Sequence, residues 1–185
     1  NKEGVPSAYD LERLTEFQRG IFPQGNDSHF EGAAMMYLPA FLLPFQLLSL
    51  IDLPYSFLIW TLGSFAGFIL YLRFFMKDLD IHSGSTKWII ISILSLPVIL
   101  NLYYGQVNLI LAICAGEVIR AFLSHKPMKA GLWLGGWLLK PQLLLLILPF
   151  LLIQRAWKAL KGFSISAIVI VGISIALVSI DGFSN

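Results

Sequence analysis

Residues 131–153 have the sequence GLWLGGWLLKPQLLLLILPFLLI, and this stretch decides the fold that the chain is predicted to adopt. It is long enough for one membrane-spanning helix, which needs about 20 apolar residues. Pro141, however, lacks a backbone N–H and disfavours helical geometry at the preceding residue, Lys140, which is the one charge in the run. We therefore predict a hairpin of two short helices that turns at residues 140–142.

Three short clusters of basic residues lie between the hydrophobic segments and support this turn. They are Arg73, Lys77 and Lys87, then Arg120, Lys126 and Lys129, then Arg155, Lys158 and Lys161. Basic residues concentrate in cytoplasmic loops, so the chain must cross the membrane an even number of times between clusters. The same reasoning predicts a second outward turn at residues 101–106, where NLYYGQ interrupts two apolar stretches. Short helices at membrane depth can line a wet cavity, which predicts a cavity near the two turns.

The composition requires a bilayer around the chain. Hydrophobic residues make up 57% and charged residues 13%, against about 25% charged residues in a soluble domain. Near-spanning apolar runs occur at 54–72, 88–104, 107–123, 131–153 and 163–180. These runs predict an all-α, polytopic integral membrane protein. The net charge of +2 is dispersed over the basic clusters, so no nucleic-acid partner is predicted.

The expected organisation has three parts. Residues 1–53 are predicted to form an extracytoplasmic loop with amphipathic and interfacial helices, the first of which starts at a Ser7 cap and ends near Gly20. Residues 33–51 are expected to lie along the interface, although their length also permits a crossing. Residues 54–180 are predicted to form the transmembrane bundle. Residues 181–185 are expected to be a truncated outer segment of a fragment, since the first residue is Asn rather than Met.

Lys140 is the strongest candidate for a functional side chain. A cation at membrane depth is costly and usually faces a partner, a cavity or an anionic ligand, and a lipid-linked phosphate would suit it. Gln142 could share the site or cap the turn. The alternative is a lysine that extends to the outer headgroups from a helix end.

The turn before residue 108 carries further polar candidates. Gly105 permits a tight turn, and exposed amides at the start of the next helix attract anions. Gln106 and Asn108 can both donate and accept hydrogen bonds, as sugar hydroxyls require. Helix capping and hydrogen bonding between helices are the alternative. Tyr37, where the polar segment meets the apolar run, could contact a ligand or anchor the chain at the interface.

Other polar residues give weaker signals. Glu117 and Arg120 are three residues apart on one helix, so they are predicted to neutralise each other near the inner face. No spacing singles out a general base among the outer acids, which are Asp10, Glu12, Glu16, Asp27, Glu31 and Asp52. The three histidines are far apart in sequence and Cys114 is the single cysteine, so no metal site is predicted.

Several motifs together resemble glycosyltransferase family 87, within the GT-C superfamily. They are Tyr37-Leu38-Pro39, Gly105-Gln106-Val107-Asn108, Ala130-Gly131, Lys140-Pro141-Gln142 and Arg155-Ala156-Trp157. The resemblance implies an enzyme of the plasma (inner) membrane that transfers a sugar, typically mannose, from a polyprenyl phosphate carrier to a glycan or glycolipid acceptor on the extracytoplasmic face. It also implies a metal-independent inverting reaction, with the lipid-linked sugar as donor substrate and no cofactor.

The resemblance also assigns roles to the candidate residues. Lys140, with Gln142 beside it, would contact the lipid phosphate; Gln106 and Asn108 would line the sugar pocket; and Tyr37 would lie near the acceptor entrance. The catalytic carboxylate of GT-C enzymes lies just after the first transmembrane helix. The base is therefore expected upstream of Asn1, and its identity is unknown.

Two other functions are compatible with the residues. Broken helices also bind substrate in transporters and flippases, although no internal repeat is visible in this chain. The fragment could also serve as part of a larger scaffold without activity of its own.

Overall fold

The computed structural model describes residues 37–79 and 85–183, together with Glu12 and Glu16, which are both helical. Apart from those two positions, the helix predicted between Ser7 and Gly20 lies outside the described residues. All regular structure in the described residues is helical, with no strand among them. The predicted all-α class is confirmed.

Eight α-helices and three 3-10 segments make up the described part of the chain. The 3-10 segments are Pro39–Leu42, Gly135–Leu139 and Pro141–Leu143. The α-helices are α1 (Leu43–Leu48), α2 (Leu53–Asp78), α3 (Ser85–Ile93), α4 (Leu96–Tyr104), α5 (Asn108–Leu123), α6 (Pro127–Leu134), α7 (Leu144–Ile153) and α8 (Trp157–Phe183). The last helix therefore continues past residue 180, where the bundle was expected to end.

Two of the described helices are long and apolar enough to cross a membrane. They are α2, with 26 residues, and the Trp157–Val178 part of α8, with 22 residues. The pair α3 and α4 provides a third span if the two bent helices are counted as one. The chain is thus an integral membrane protein. The 10-residue apolar segment Pro39–Leu48 is about half the length that a spanning helix needs.

The run at 88–104 differs from the single span that was expected. It forms α3 and α4, which are bent by 50° at the break between them. Pro97 explains the break, because its ring clashes with the carbonyl four residues earlier, that of Ile93, and it offers no N–H to that carbonyl. Pro is tolerated in the first turn of a helix, which is where α4 places it.

The run at 131–153 breaks at Lys140. This residue has a non-helical conformation, with φ −136° and ψ 80°, between two 3-10 segments. Leu134 before the break and Leu151 after it belong to the same buried cluster. Both arms of the broken run therefore pack into one core.

The chain divides into two compact units, of which the first comprises residues 1–46 and 169–185. Within it, the backbone N–H of Ala40 donates to Ser174 Oγ at 3.1 Å, and the Ser174 hydroxyl donates to the Ile170 carbonyl at 2.8 Å. Amides in the first turn of a helix have no partner within it. The buried Ser174 hydroxyl supplies one for the 3-10 segment.

The second unit, residues 47–168, has a core at the end where the chain turns from α5 to α6 and from α7 to α8. Its buried members are Val118, Ala121, Ala130, Leu134, Leu151 and Ala159. An ion pair of 2.8 Å between Arg120 Nε and Asp78 Oδ2 joins the end of α2 to the same region. The three basic clusters therefore lie at one end of this unit, and their cytoplasmic location stays a prediction.

A network of charges occupies this basic end. The predicted pair of Glu117 and Arg120 is present. Glu117 is buried and also accepts a hydrogen bond from the Tyr71 hydroxyl at 3.2 Å, while Lys129 Nζ lies 3.4 Å from its second oxygen. The Arg120 guanidinium is 4.2 Å from the centre of the Phe74 ring. Each buried charge here has an opposite partner, which is the condition for burying charges at low cost.

Helices α6 and α8 touch through their backbones at two glycines. A Cβ atom on Gly131 would lie 1.9 Å from the Ala159 carbonyl oxygen, and one on Gly162 would lie 2.2 Å from the Met128 carbonyl oxygen. Small residues allow such close approach of helices in membranes. Because the opposing atoms are backbone atoms, neither helix can yield to a larger side chain without moving as a whole.

We expect Gly131→Ala to lower the stability of the full-length protein by about 1 to 3 kcal/mol, since the added methyl group overpacks a backbone contact. Gly162→Ala should have a similar effect. The measurement is the thermal unfolding midpoint of the purified protein in detergent.

Gly63→Ala is the matched control, because a Cβ at Gly63, inside α2, meets nothing within 4 Å. This variant should be as stable as the wild type or more stable by up to about 1 kcal/mol. Equal midpoints for Gly131→Ala and Gly63→Ala would contradict the close backbone contact.

Candidate functional site

The turn between α4 and α5 depends on Gly105. This residue has φ 61° and ψ 30°, the left-handed conformation that ends many helices. The N–H of Gln106 donates to the Asn101 carbonyl at 3.0 Å, which closes the last turn of α4. A Cβ on Gly105 would lie 2.7 Å from the ring of Phe57. Glycine is thus required here both by the backbone angle and by the available space.

Helix α2 holds this turn from the side. Trp60 Nε1 donates to the Gly105 carbonyl oxygen at 2.9 Å, and the Phe57 ring packs beside the same glycine. The turn is therefore packed against α2 on one side, while Gln106 is exposed on the other.

Asn101 caps the next helix from within the previous one. Its side chain is 2% exposed, and its Oδ1 accepts the backbone N–H of Asn108, the first residue of α5, at 2.9 Å. The sequence reasoning placed Asn101 in the turn but gave it no role. The available signal was a carboxamide in the last turn of an otherwise apolar helix.

The two predicted turns meet at Asn108. Lys140 Nζ donates to Asn108 Oδ1 at 2.7 Å, and Asn108 Nδ2 donates to Gln106 Oε1 at 2.5 Å. We refer to Asn101, Gln106, Asn108 and Lys140 as the amide–lysine cluster. Three of its members, Gln106, Asn108 and Lys140, were predicted site residues, and the structure brings them together through a bond between residues 32 positions apart.

The remaining two predicted site residues lie apart from these hydrogen bonds. Gln142 is exposed, two residues after Lys140, and makes no hydrogen bond within the described part of the chain. Tyr37 is partly buried and belongs to the first compact unit. The ligand contacts predicted for both residues stay predictions.

The hydrogen bonds give the amide–lysine cluster a surplus of donors. The side-chain oxygens of Asn101, Asn108 and Gln106 each already accept a bond from inside the cluster. An ammonium group has three donors and a carboxamide nitrogen has two, so N–H groups on Lys140, Gln106 and Asn101 remain available. A donor-rich site suits a ligand that only accepts hydrogen bonds, such as a phosphate.

The cluster also carries an uncompensated positive charge. Lys140 is partly buried and forms no ion pair with any carboxylate among the described residues. The carboxylates of Asp78 and Glu117 are engaged at the basic end. The start of α5 adds the partial positive charge of a helix N-terminus. Together these features give this position a positive electrostatic potential.

No group of three or more His, Cys, Asp or Glu side chains that could hold a metal ion occurs among residues 37–79 and 85–183 or the two described glutamates. The polar chemistry of the described site thus comes from amides and one ammonium group.

The comparison with known families agrees with this arrangement. Residues 36–185 match the family model described as glycosyltransferase family 87. The chain belongs to glycosyltransferase family 87. No curated protein and no solved structure is detectably similar to it.

Membership of family 87 gives the site its chemical context. With helices that can cross a membrane, this family member is a membrane glycosyltransferase, which acts on a sugar donor and an acceptor beside a lipid bilayer. The matched residues include the whole amide–lysine cluster and also Gln142 and Tyr37.

Replacing Gly105 should disturb the turn that carries the cluster. We expect Gly105→Ala to cost about 1 to 2 kcal/mol through the left-handed backbone alone, with a further penalty from the contact with Phe57. The measurement is the unfolding midpoint together with the rate of sugar transfer by the full-length enzyme, and both should fall.

The double variant Gly105→Ala with Phe57→Leu should recover part of this loss, because it removes the ring but not the backbone strain. Gly67→Ala serves as the control, since a Cβ there meets nothing within 4 Å. Wild-type stability of Gly105→Ala would show that the turn does not need glycine.

Proposed function

We propose that this family 87 member is a GT-C type glycosyltransferase. In this proposal it moves a sugar, namely mannose, from a polyprenyl phosphate carrier to a glycan or glycolipid acceptor. The observation that carries the proposal is the uncompensated Lys140 ammonium, which Asn108 holds beside the N-terminus of α5. In this proposal the lipid-linked sugar is the donor substrate and no cofactor takes part.

The charge of the site supports a polyprenyl phosphate sugar as donor. The phosphodiester of such a donor carries one negative charge, which a single lysine balances. A nucleotide sugar or a polyprenyl diphosphate carries at least one more charge for which the described cluster offers no second cation. The unpaired N–H groups of the cluster could donate further hydrogen bonds to the same anion.

During transfer, the acceptor oxygen attacks the anomeric carbon while the bond from that carbon to the phosphate oxygen breaks. The acceptor hydroxyl proton passes to a general base, and the electron pair of the broken bond stays on the departing phosphate. Lys140 would stabilise the charge that grows on this phosphate, because a preorganised cation in a dry site lowers the barrier.

The hydrogen bonds refine the roles of the other predicted residues. Asn108 would orient the Lys140 ammonium, and Gln106 would orient Asn108 in turn. The oxygen of each amide already accepts one hydrogen bond from the cluster, which favours a place beside the phosphate over one around the sugar hydroxyls. The exposed Gln142 would approach the same anion from the opposite side of the turn, and Tyr37 would lie near the acceptor entrance.

The distribution of charge supports a site at the extracytoplasmic face of the plasma (inner) membrane. The three basic clusters lie at one end of the second unit and would be cytoplasmic. The amide–lysine cluster forms where α4 meets α5 and where the run at 131–153 breaks, away from the basic end. The family match favours this enzyme over the transporter or flippase considered as an alternative.

We expect Lys140→Ala in the full-length enzyme to lower the rate of transfer from a polyprenyl phosphate sugar by about 100-fold, which is typical for the loss of one charge-stabilising donor. Lys140→Arg should retain more activity because it keeps the charge. The measurement is incorporation of radiolabelled sugar into acceptor by purified enzyme.

Lys161→Ala controls for the loss of one positive charge, since Lys161 is exposed on α8 at the basic end. It should transfer sugar at the wild-type rate. Unchanged transfer by Lys140→Ala would refute the phosphate role, and faster transfer from a nucleotide sugar than from the lipid-linked donor would refute the proposed donor.

The sidedness of the site can be measured with cysteine labelling. Cys114 is buried and free, so Cys114→Ser provides a background without cysteine in the described residues. In that background, a membrane-impermeant maleimide should label Gln142→Cys from the extracytoplasmic side and Gln154→Cys from the cytoplasmic side. Labelling of Gln142→Cys from both sides would instead support a transporter.

A further inference from the structure

We propose that Asn101 binds the substrate phosphate directly, by donating a hydrogen bond from Nδ2 to one of its oxygens. This inference rests on the proposed function. It adds Asn101, which the sequence motifs did not include, to the residues that bind the lipid-linked sugar donor. It assigns Asn101 two roles, with its oxygen as a helix cap and its nitrogen as a ligand contact.

The first support is the unequal use of the two ends of the Asn101 carboxamide. Oδ1 accepts the Asn108 amide at 2.9 Å, whereas Nδ2 has no hydrogen-bond partner among the described residues. The assignment of O and N is fixed by the bond itself, since a backbone N–H requires an acceptor. Nδ2 is therefore the donor of this largely buried residue that a ligand could still bind.

Among the described residues, the side-chain atoms that are fully buried without a hydrogen-bond partner are Thr61 Oγ1 and Trp137 Nε1, so Asn101 Nδ2 keeps some access to the surface. Three polar or charged residues are buried as a whole. These are Asn101, Glu117 and Ser174. The Glu117 carboxylate accepts hydrogen bonds from Tyr71 and Arg120 and forms an ion pair with Lys129, and the Ser174 hydroxyl both donates and accepts. Only Asn101, of these three, retains a donor without a partner, and it is the one that lies in the anion-binding cluster.

The second support is convergence on Asn108. The Asn101 carboxamide contacts Asn108 through its backbone N–H, and the Lys140 ammonium contacts Asn108 through its side-chain oxygen. Nδ2 is bonded to the same carbon as Oδ1, so it lies beside the N-terminus of α5. An unpaired donor, a cation and a helix N-terminus are therefore all found at Asn108. A phosphate oxygen satisfies all three, whereas a neutral hydroxyl would leave the charge unbalanced.

Asn101→Asp separates the two roles of this residue. The carboxylate has nearly the same shape and keeps an acceptor for the Asn108 amide, where a negative charge at a helix N-terminus is favourable. It removes the Nδ2 donor and repels an anion. A residue that only capped the helix would tolerate this change, whereas a residue that donates to the phosphate would not.

The experiment measures binding of farnesyl phosphate to the full-length enzyme in detergent, by ligand-induced thermal stabilisation and native mass spectrometry. Farnesol tests the lipid tail alone, and inorganic phosphate tests the headgroup alone. We expect Asn101→Asp to unfold near the wild-type temperature without ligand and to bind farnesyl phosphate about 10- to 100-fold more weakly, as loss of a hydrogen bond to a charged group implies. Farnesol should bind equally to both proteins.

Gln154→Glu is the matched control, because it adds the same charge at an exposed position at the end of α7, in the basic region. It should bind farnesyl phosphate like the wild type. Wild-type affinity of Asn101→Asp, with affinity lost in Lys140→Ala, would overturn the inference and leave the proposed function intact. No binding of farnesyl phosphate to the wild type would overturn both.

If Asn101→Asp does not fold, Asn101→Ser tests whether residue 101 contacts the phosphate directly. Serine adds no charge and can still accept a hydrogen bond, but it lacks the amide nitrogen. We expect affinity about 10-fold below that of the wild type. Unchanged affinity in a folded Asn101→Ser enzyme would refute a direct contact.

Discussion

A backbone N–H or carbonyl that loses its helical partner inside a membrane must find another partner, because no water is available to replace it. This constraint explains the side-chain bonds at the helix breaks. Trp60 and Asn101 serve the turn at Gly105, and the Ser174 hydroxyl serves the 3-10 segment at Ala40. The polar residues needed to hold broken helices are also the ones that can bind a ligand. In this protein, residues that satisfy backbone groups at a helix break also form the candidate site.

The two ends of the second unit differ in whether their buried or partly buried charges are neutralised by other residues. At the basic end, the buried Glu117 is surrounded by Arg120, Lys129 and the Tyr71 hydroxyl, so its charge is neutralised by the protein. At the other end, Lys140 has an amide as its partner and keeps its charge. The first arrangement stabilises the bundle. The charge of Lys140 is not neutralised by the protein, so an anionic ligand would be attracted to it. A structural ion pair such as that of Glu117 offers no such attraction.

Local rules were enough to predict part of this fold. Pro141 and Gly105 identified the breaks in the helices, since the covalent structure of these residues limits the backbone wherever they occur. The bend at Pro97 follows from the same rule but was missed, because apolar residues on both sides gave the appearance of one span. The bond between Lys140 and Asn108 could be expected only in general terms, from two turns on one side. Its partners are 32 residues apart, and no local pattern fixes which atoms meet. Asn101 was harder still, because its importance lies in burial, which the sequence does not show.

The glycine contact between α6 and α8 has a consequence for how substrate reaches the enzyme. Alternating access in transporters requires one group of helices to rock against another around a central site. Gly131 and Gly162 each sit against the carbonyl of the opposing helix, so a sliding motion would drive backbone atoms into one another. These two backbone contacts are close to the basic clusters, which is the end of the unit that a transporter would have to open toward the cytoplasm. Helices packed in this way form a rigid base at this end of the second unit, and in the proposed reaction the lipid-linked donor would enter and leave by the same membrane leaflet.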